Sequence, residues 1–257
     1  MRVLSVARDL RRRHARERHG LFVAEGLRGV EELLRSPLII RGVLVTAPLA
    51  GNDRAPAVLD AIRERAIPVQ EVSATDFASA ADTETPQGIL AIAEVPRHSL
   101  AGIPTPKSLR LVVLDAVQDP GNVGTIVRTA AALGASATIV LPGTVDLWNA
   151  KVVRSSMGAH FHHPAFGCTW AELMTFLADR DVTLWGADAQ GEALDSALGD
   201  RTALPQRLAI AVGNEGGGLS SQTRERADKL VAIPIEGTVE SLNVAVATGI
   251  ILYELRS

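Results

Sequence analysis

The sequence LRLVVLDAVQDPGNVGTIVRTAAALGA, residues 109–135, decides the fold class of this chain. Residues 109–116 are almost continuously apolar, as is typical of a strand covered on both faces of a parallel sheet. A polar turn follows at residues 119–122, and the apolar spacing over 123–133 predicts a helix. A strand, a turn and a helix in this order indicate an α/β protein.

The remainder of the chain continues this alternation. In the second half we predict strands over residues 136–142, 182–188, 207–213 and 229–235, and helices over 147–157, 170–179 and 242–255. In the first half a βαβ rhythm predicts strands over 39–46, 68–72 and 88–95 and helices over 27–35, 55–66 and 74–81. Residues 96–108 carry three prolines and a glycine without periodicity. We therefore predict a domain at 1–97, a linker at 98–108 and a second domain at 109–257.

Composition is that of a globular protein rather than a disordered or fibrous one. Apolar residues make up 47% and charged residues 21% of the 257 positions, with a formal net charge of −3. No run approaches the roughly 20 apolar residues of a membrane helix, and the first residues lack the apolar stretch of a signal peptide, so we expect a cytoplasmic protein. The single cysteine, Cys168, is expected to be a buried apolar filler without a catalytic role.

The first twenty residues are locally basic, with seven arginines against Asp9 and Glu17. An arginine cluster of this kind suits an RNA phosphate backbone, from which each bound cation releases counterions. An exposed, solvated helix face explains the same residues equally well. The candidate RNA-binding residues of this cluster are Arg8, Arg11, Arg12, Arg13, Arg16 and Arg18.

Three polar loops follow apolar strands in the second half, where ligands bind in doubly wound sheets. They are residues 119–124, with Arg128 further along the helix, residues 213–218 (GNEGGG), and residues 233–243 (IPIEGTVESLN). Their glycines allow the main chain to approach a ligand closely. The alternative is that Asn122, Asn214 and Ser241 only cap turns and helices. The chain has neither the dinucleotide-binding nor the P-loop glycine pattern, which argues against an oxidoreductase and an NTPase.

The strings LDAVQDPGNVGTIVRTAAALGA (114–135), IAVGNEGGGLS (210–220) and IPIEGTVESLNVAVATGIILYEL (233–255) closely resemble the three signature motifs of the SpoU (TrmH-like) RNA ribose methyltransferases. The stretch KVVRSSMGAHF (151–161) resembles the segment between the first two motifs. The stretch GLFVAEGLRGVEELL (20–34) is similar to the RNA-substrate-binding domain that often precedes this catalytic domain. Together these resemblances cover nearly the whole chain.

The resemblance implies an α/β fold whose C-terminal domain is a SPOUT-type parallel-sheet methyltransferase with a deep trefoil knot, preceded by a smaller α/β RNA-substrate-binding domain. Physical patterns alone predict no knot, since knots are nearly absent among folds. The resemblance also implies a homodimer that transfers a methyl group from S-adenosyl-L-methionine to a ribose 2′-hydroxyl of structured RNA, ribosomal rather than transfer RNA. The implied cofactor-binding residues are Val212, Gly213, Asn214, Glu215, Gly216, Ile233, Ser241 and Leu242.

The implied catalytic residues are Arg128, Asn122, Glu215, Ser241 and Asn243. A guanidinium with a pKa above roughly 12 has no free lone pair, so we expect Arg128 to hold a phosphate and stabilise the forming alkoxide rather than act as the base. An ion pair between Arg128 and Glu215 is the structural alternative. We expect Glu215 to orient Arg128 or Asn214, and Ser241 and Asn243 to polarise the hydroxyl or fix its phosphate. For Ser241 and Asn243 the alternative is a capping role. For Glu215 the alternative is the general base, since a carboxylate is the chemically simplest proton acceptor.

Two further features leave alternatives open. Arg154 is a candidate RNA contact across the dimer, or a helix-surface charge. His160, His162 and His163 have the spacing of a metal cluster, but no cysteine or carboxylate completes it, so we predict a histidine-bearing surface strand and no metal. A non-catalytic RNA-binding protein of the same fold and a transfer-RNA ribose methyltransferase are the alternative functions.

Overall fold

The computed structural model describes residues 2–47, 49, 53–199, 204–239 and 241–256. The chain forms two compact units. Unit 1 comprises Met1–Arg97 and Asp146–His162, and unit 2 comprises His98–Val145 and His163–Ser257. The segment Asp146–His162, which the sequence placed in the second domain, therefore packs with the N-terminal residues.

The helices and strands follow each other in mixed order along the chain. The strands are β1 (Leu21–Glu25), β2 (Ile40–Thr46), β3 (Val69–Val72), β4 (Ile89–Glu94), β5 (Leu109–Asp115), β6 (Ala137–Val140), β7 (Ala165–Gly167), β8 (Thr183–Ala193), β9 (Arg207–Gly213) and β10 (Lys229–Ala232). The helices are α1 (Val3–Asp9), α2 (Arg13–His19), α3 (Leu27–Arg35), α4 (Ala55–Glu64), α5 (Ala74–Ala80), α6 (Pro120–Ala132), α7 (Ala150–Ser155), α8 (Trp170–Asp179), α9 (Leu194–Leu198), α10 (Ser221–Arg226) and α11 (Val244–Glu254). No helix in the described part of the chain is long and apolar enough to cross a membrane.

Unit 1 is built on a four-stranded sheet in the order β1-β4-β2-β3. β4 is antiparallel to both β1 and β2, and only β2 and β3 are parallel. The predicted βαβ rhythm is therefore correct for β2, α4 and β3, whereas β1 was not predicted. Helix α1 covers this sheet with Val3, Ala7 and Leu10, whose spacing of four and three residues puts them on one helix face.

Unit 2 contains a six-stranded parallel sheet in the order β10-β8-β9-β5-β6-β7. The predicted parallel sheet is confirmed, and the central strands β5 and β9 are almost wholly buried. From β5 the chain builds outward through β6 and β7, and then returns to the other side of β5 to build β8, β9 and β10. The strand order thus reverses between β5 and β9, and such a reversal opens a ligand-binding crevice at the carboxyl ends of the two strands.

Local chemistry explains where several elements begin and end. Thr169 and Glu172 form a reciprocal capping box, so α8 begins at the predicted position. β10 ends before Pro234, which has no N–H to donate to a sheet, so the strand is shorter than predicted. Helix α7 is also shorter than predicted, because Asn149 caps it and Met157 (φ +53°) and Gly158 (φ +90°) turn the chain away. Within the predicted linker, Ile103 is buried in the core of unit 2.

Candidate active site

The first loop of the site joins β5 to α6. Asp119 caps α6 by accepting a hydrogen bond from the main-chain N–H of Asn122 at 2.9 Å, and Pro120 occupies the first helical position. The cap fixes the first turn of the helix. As a result the side chain of Asn122 lies at the carboxyl edge of the sheet.

The second loop follows β9 and is closed on itself. The main-chain groups of Asn214 and Gly218 exchange two hydrogen bonds of 2.9 Å, and the Asn214 Oδ1 accepts from the N–H groups of Gly216 and Gly217 at 3.0 and 2.9 Å. A Cβ on Gly213 would lie 2.1 Å from the main-chain carbon of Gly218. Only glycine fits at this position, because the obstacle is backbone.

The third loop connects β10 to α11. Asn243 caps the helix, with its Oδ1 accepting from the main-chain N–H groups of Ala245 and Val246 at 2.9 and 3.3 Å. Asn243 therefore has the capping role that the sequence analysis gave as the alternative to a contact with the substrate. The cap uses only the Oδ1 of Asn243, so its amide nitrogen can donate a hydrogen bond to another residue.

The three loops meet through a network of side chains. The Nδ2 of Asn243 donates to Oδ1 of Asn122 at 2.9 Å, and the Nδ2 of Asn122 donates to Oε1 of Glu215 at 3.0 Å. The Nδ2 of Asn214 lies 3.4 Å from the Glu215 Oε2 and also donates to the Ala116 carbonyl at 3.0 Å. The network thus brings Asn122, Asn214 and Asn243 together at one edge of the sheet.

Glu215 is the centre of this network. Besides the two asparagine amides, its carboxylate accepts from the main-chain N–H groups of Gln118 at 3.2 Å and Asp119 at 3.0 Å. Burial alone would raise the pKa of Glu215, but the hydrogen bonds from Asn122 and from main-chain N–H groups lower it below the usual value. Glu215 is thus an anion whose oxygens are already engaged, which suits an orienting residue.

Arg128 lies on the exposed face of α6. Its guanidinium makes no hydrogen bond or ion pair with another residue in the described ranges, and the ion pair with Glu215 that the sequence allowed is absent there. Ser241 is likewise exposed and makes no hydrogen bond to a described residue.

Two aspartates that the sequence analysis missed hold the segment after the second loop, at the start of α10. Asp115, at the end of β5, is buried, and its Oδ2 accepts from the Ser220 N–H at 2.8 Å and the Thr223 hydroxyl at 2.6 Å. The Asp188 carboxylate pairs with Arg224 at 2.5 Å. A charged residue at the end of the apolar run LRLVVLD was the signal for Asp115, since buried carboxylates need partners. For Asp188 the sequence held no comparable signal.

The residues predicted to bind the cofactor line the carboxyl edge of the sheet. Val212 and Gly213 are buried at the end of β9, Ile233 is half-buried, and Gly216 and Leu242 are exposed. From residue 235 to 239 the main chain makes no hydrogen bond to another described residue. Free main-chain donors and acceptors beside exposed apolar side chains match the needs of an adenine ring, which has both a polar edge and apolar faces. The donor set therefore fits an adenosyl group.

Helix α11 packs on α6 through one face and leaves the other face exposed. Ala245, Thr248, Ile251 and Leu252 are buried. The exposed side chains of Val246 (52%), Ile250 (36%) and Tyr253 (55%) recur at spacings of three and four residues, so they form one apolar face. The helix predicted over residues 242–255 is therefore buried on one side only.

The arginines near the N-terminus, all in unit 1, are largely engaged by the protein itself. Arg8 binds Asp76 and Ser79, and Arg13 pairs with Glu17. Arg16 is buried and donates to Asp146 and to the carbonyls of Leu10 and Arg11, which leaves it no access to RNA. Arg11 donates to the Ser79 carbonyl, Arg18 lies 3.1 Å from the ring of His19, and Arg12 is exposed.

His160, His163 and Cys168 have structural roles. The predicted histidine-bearing strand is wrong, because His160 lies in a short 3-10 helix (Ala159–Phe161) and is buried against Trp148. His163 is buried and hydrogen-bonded to Thr138 at 2.9 Å. No cluster of potential metal ligands occurs among the residues that the structure describes. Burial raises the pKa of Cys168 to about 11, as expected of an unreactive thiol.

Comparisons with known proteins agree along nearly the whole length. Residues 110–253 match the SpoU rRNA Methylase family, and residues 5–91 match the MRM3-like substrate binding domain. The chain is 36% identical to the 23S rRNA (guanosine(2553)-2′-O)-methyltransferase RlmP of Bacillus subtilis, over 97% of this chain and 94% of that protein. It is 32% identical to the 23S rRNA (uridine(2479)-2′-O)-methyltransferase of Streptomyces viridochromogenes, over 94% of this chain and 84% of that protein.

Solved structures also match this chain over nearly its whole length. The AdoMet-bound rRNA methyltransferase of Sinorhizobium meliloti superposes with a TM-score of 0.84 at 29% identity, covering 99% of this chain and 94% of that one. The SpoU methyltransferase AviRb of Streptomyces viridochromogenes, in complex with AdoMet, also gives a TM-score of 0.84, at 28% identity, covering 99% of this chain and 97% of that one. The architecture of both units is therefore that of these enzymes.

Proposed function

The chain belongs to the SpoU rRNA methylase family, and we propose that it methylates a ribose 2′-hydroxyl of 23S ribosomal RNA. It is an S-adenosylmethionine-dependent RNA 2′-O-ribose methyltransferase. One observation supports this function above the others: the network of Asn243, Asn122, Glu215 and Asn214 joins three loops at the reversal of strand order in a parallel sheet. The choice of 23S RNA comes from the substrates that the relatives are named for.

The cofactor would be held by the second and third loops. Val212, Gly213 and Gly216 would supply main-chain groups from the second loop, with Asn214 and Glu215 shaping it. Ile233, Ser241 and Leu242 would do so from the third. When bound, S-adenosylmethionine supplies a methyl group that is activated by its sulfonium. Since the displacement is in line, the main task of the protein is to hold the acceptor oxygen collinear with that group.

Glu215 acts as a positioning residue in this proposal. Its oxygens accept hydrogen bonds from two main-chain N–H groups and two asparagine amides, and its pKa is lowered. A carboxylate that is so well solvated by fixed donors is a weak base. Its charge instead fixes Asn122, and through Asn122 it fixes the start of α11 at Asn243.

Arg128 and Ser241 are the groups left to contact the RNA. Both are exposed and make no hydrogen bond to another described residue. Arg128 would hold the phosphate beside the target ribose and stabilise the negative charge that forms on its 2′-oxygen. Ser241 would bind the hydroxyl or the same phosphate, since the amide of Asn243 is already occupied by Asn122 and by the helix cap.

The exposed apolar face of α11 supports a homodimer. This face consists of Val246, Ile250 and Tyr253. Leu242, four residues before Val246, is 37% exposed and is one of the predicted cofactor-binding residues. A second copy that covers this face would bury apolar surface and close the cofactor site from one side. The trefoil knot of the C-terminal segment and a cytoplasmic location, where ribosomal RNA is modified, are part of the same proposal.

The test is a transfer assay with radiolabelled S-adenosylmethionine and three unmodified RNAs: 23S rRNA, 16S rRNA and bulk transfer RNA. We expect label in 23S rRNA, at one ribose, and loss of that 2′-O-methyl group from the RNA of cells lacking the gene. Label in transfer RNA alone would replace the proposed substrate with the alternative one. Binding of 23S rRNA without any transfer would favour the non-catalytic alternative.

A further inference from the structure

Unit 1 contains a groove of 380 Å³ that none of the proposed roles uses. One wall is the end of β1 and the start of α3, and a second wall is the segment 83–87. The third wall comes from Val153, Arg154, Met157 and Gly158, at the end of α7. The volume is within the range of small-molecule sites, roughly 300–1,000 Å³.

Two guanidinium groups, those of Arg28 and Arg154, and one carboxylate, that of Glu25, line the groove. The carboxylate of Glu25 is engaged, since it accepts hydrogen bonds from the Asp82 N–H at 2.8 Å and from the Thr83 hydroxyl. Arg28 is exposed and makes no hydrogen bond or ion pair with another described residue. Arg154 contacts Asp82 at 3.3 Å, with both side chains about 40% exposed (38% and 42%). Such an exposed pair is weak, so the guanidinium can turn to a ligand.

The groove also offers an apolar surface and open space. Met157 is 37% exposed, and beneath it Val153 and Ala24 are buried. A Cβ added at Gly29 would meet no atom within 4 Å, so the space above α3 is empty. A thioether is a flexible apolar contact for a flat ring. The groove thus has two arginines for an anion and a methionine for a planar group.

The walls are held in place by the backbone. Gly26 (φ +88°) and Gly158 (φ +90°) adopt conformations that favour glycine, and the Gln87 side chain accepts from the N–H of Leu27 at 3.0 Å. A Cβ at Gly158 would lie 2.7 Å from the Glu32 Cβ, so α7 ends directly against α3. The groove is preformed, which lowers the entropic cost of binding.

We propose that this groove binds one nucleotide of the RNA substrate, with a backbone phosphate between Arg28 and Arg154 and its base against Met157. The proposal rests on the proposed function for the identity of the ligand as RNA. Arginine binds phosphate in a bidentate fashion, and RNA is recognised mainly where unstacked bases can lie on protein side chains. Arg16 is a poorer candidate because it is buried and paired with Asp146, and none of the arginines at positions 2–18 lines this groove.

The experiment compares the full-length wild type with Arg28→Ala, Gly29→Glu and the control Arg65→Ala. Arg65 is an exposed arginine of unit 1 outside the groove. Arg28→Ala removes the cation without removing a described contact, and Gly29→Glu adds a carboxylate in open space in the first turn of α3, where an acidic residue is favourable. Binding of in vitro transcribed 23S rRNA is measured by filter retention at several salt concentrations, and S-adenosylmethionine binding is measured in parallel.

We expect Arg28→Ala to weaken RNA binding about tenfold, as for one lost charged hydrogen bond. The slope of log affinity against log salt should fall by about 0.7 to 0.9, as for one lost phosphate contact. Gly29→Glu should weaken binding further, Arg65→Ala should stay within about twofold of wild type as a surface charge remote from the contact, and cofactor binding should not change.

Wild-type RNA affinity in both groove variants, with wild-type transfer activity intact, would overturn the groove and leave the proposed function standing. An equal loss in Arg65→Ala, or a loss in Arg28→Ala with an unchanged salt slope, would also overturn it. A wild-type enzyme that neither binds nor methylates 23S rRNA would remove the proposed function itself.

Discussion

Replacing Gly213 with alanine should disable the cofactor loop while a neighbouring substitution leaves it intact. The added Cβ would lie 2.1 Å from the Gly218 carbon, 2.2 Å from its oxygen and 2.3 Å from the Leu219 nitrogen. Real Cβ contacts are essentially never shorter than 3.0 Å, so the far side of the loop must retreat by at least 0.9 Å. The atoms involved are backbone, and no side chain can rotate away to relieve the overlap.

This retreat would break the closure of the loop. The two hydrogen bonds between Asn214 and Gly218, both 2.9 Å, would lengthen to beyond 3.5 Å, where they no longer count as hydrogen bonds. Two backbone hydrogen bonds and the overpacking together cost about 1–3 kcal/mol. A displacement of about 1 Å at a site that works by alignment can cost about a hundredfold in rate.

The assay is calorimetric titration with S-adenosylmethionine, together with single-turnover methyl transfer and thermal unfolding. We expect Gly213→Ala to lower the transfer rate about a hundredfold and the melting temperature by about 2–4 °C per kcal/mol lost. Gly217→Ala is the matched control in the same loop, because its Cβ would meet only the Asn214 Oδ1, at 3.6 Å, and Gly217 is not among the proposed cofactor-binding residues. Equal cofactor affinity and rate in the two variants would refute the reasoning.

Three further predictions follow from individual contacts. Arg128→Ala should keep cofactor binding yet lose nearly all turnover, and wild-type turnover would remove Arg128 from the mechanism. Asp146→Asn should lower the free energy of unfolding by about 3 kcal/mol in urea titrations, because it strips the buried Arg16 of its charge partner; a change under 1 kcal/mol would contradict this. Burial, assisted by the neighbouring His98, lowers the pKa of His163 to about 4, so the unfolded chain takes up a proton first as the pH falls. The free energy of unfolding should therefore fall by roughly 3 kcal/mol between pH 6.5 and 4, and His163→Gln, which can still bond Thr138, should flatten that dependence.

The parallel sheet of unit 2 was predictable because its strands are buried on both faces. Runs such as RLAIAVG at 207–213 leave no alternation to interpret, and β9 occupies those residues. Helix α8 was predictable for a different reason, since Thr169 and Glu172 form a local capping signal that needs no tertiary information. The sheet was predictable from the burial of its strands, and the start of α8 from contacts between residues close in sequence.

Features that depend on long-range pairing were not predictable from periodicity. β1 is short and pairs antiparallel with β4, nearly seventy residues later in the chain, so neither its length nor its neighbours identified it. The histidines at 160–163 were expected on a surface strand because no further ligand completes a metal site, whereas Trp148 packs against His160 and buries it. The hydrogen bond between Asn122 and Asn243 joins residues 121 positions apart, and the family resemblance, rather than any spacing, put them in one site.

The packing of residues 146–162 limits how far each half of the sequence can be interpreted alone. These residues lie inside the 110–253 match to the methylase family, yet they pack within unit 1. There Trp148 and Phe161 pack on Phe22 of β1, with 4.4 and 5.8 Å between ring centroids. Arg16 reinforces this packing through its buried ion pair with Asp146. A chain that began at residue 98 would expose these aromatic rings to water, and a chain that ended at residue 97 would lack the α7 wall of the groove at Arg28. The proposed RNA-binding groove of unit 1 therefore depends on both halves of the sequence, because the second half supplies part of the core on which the first half folds.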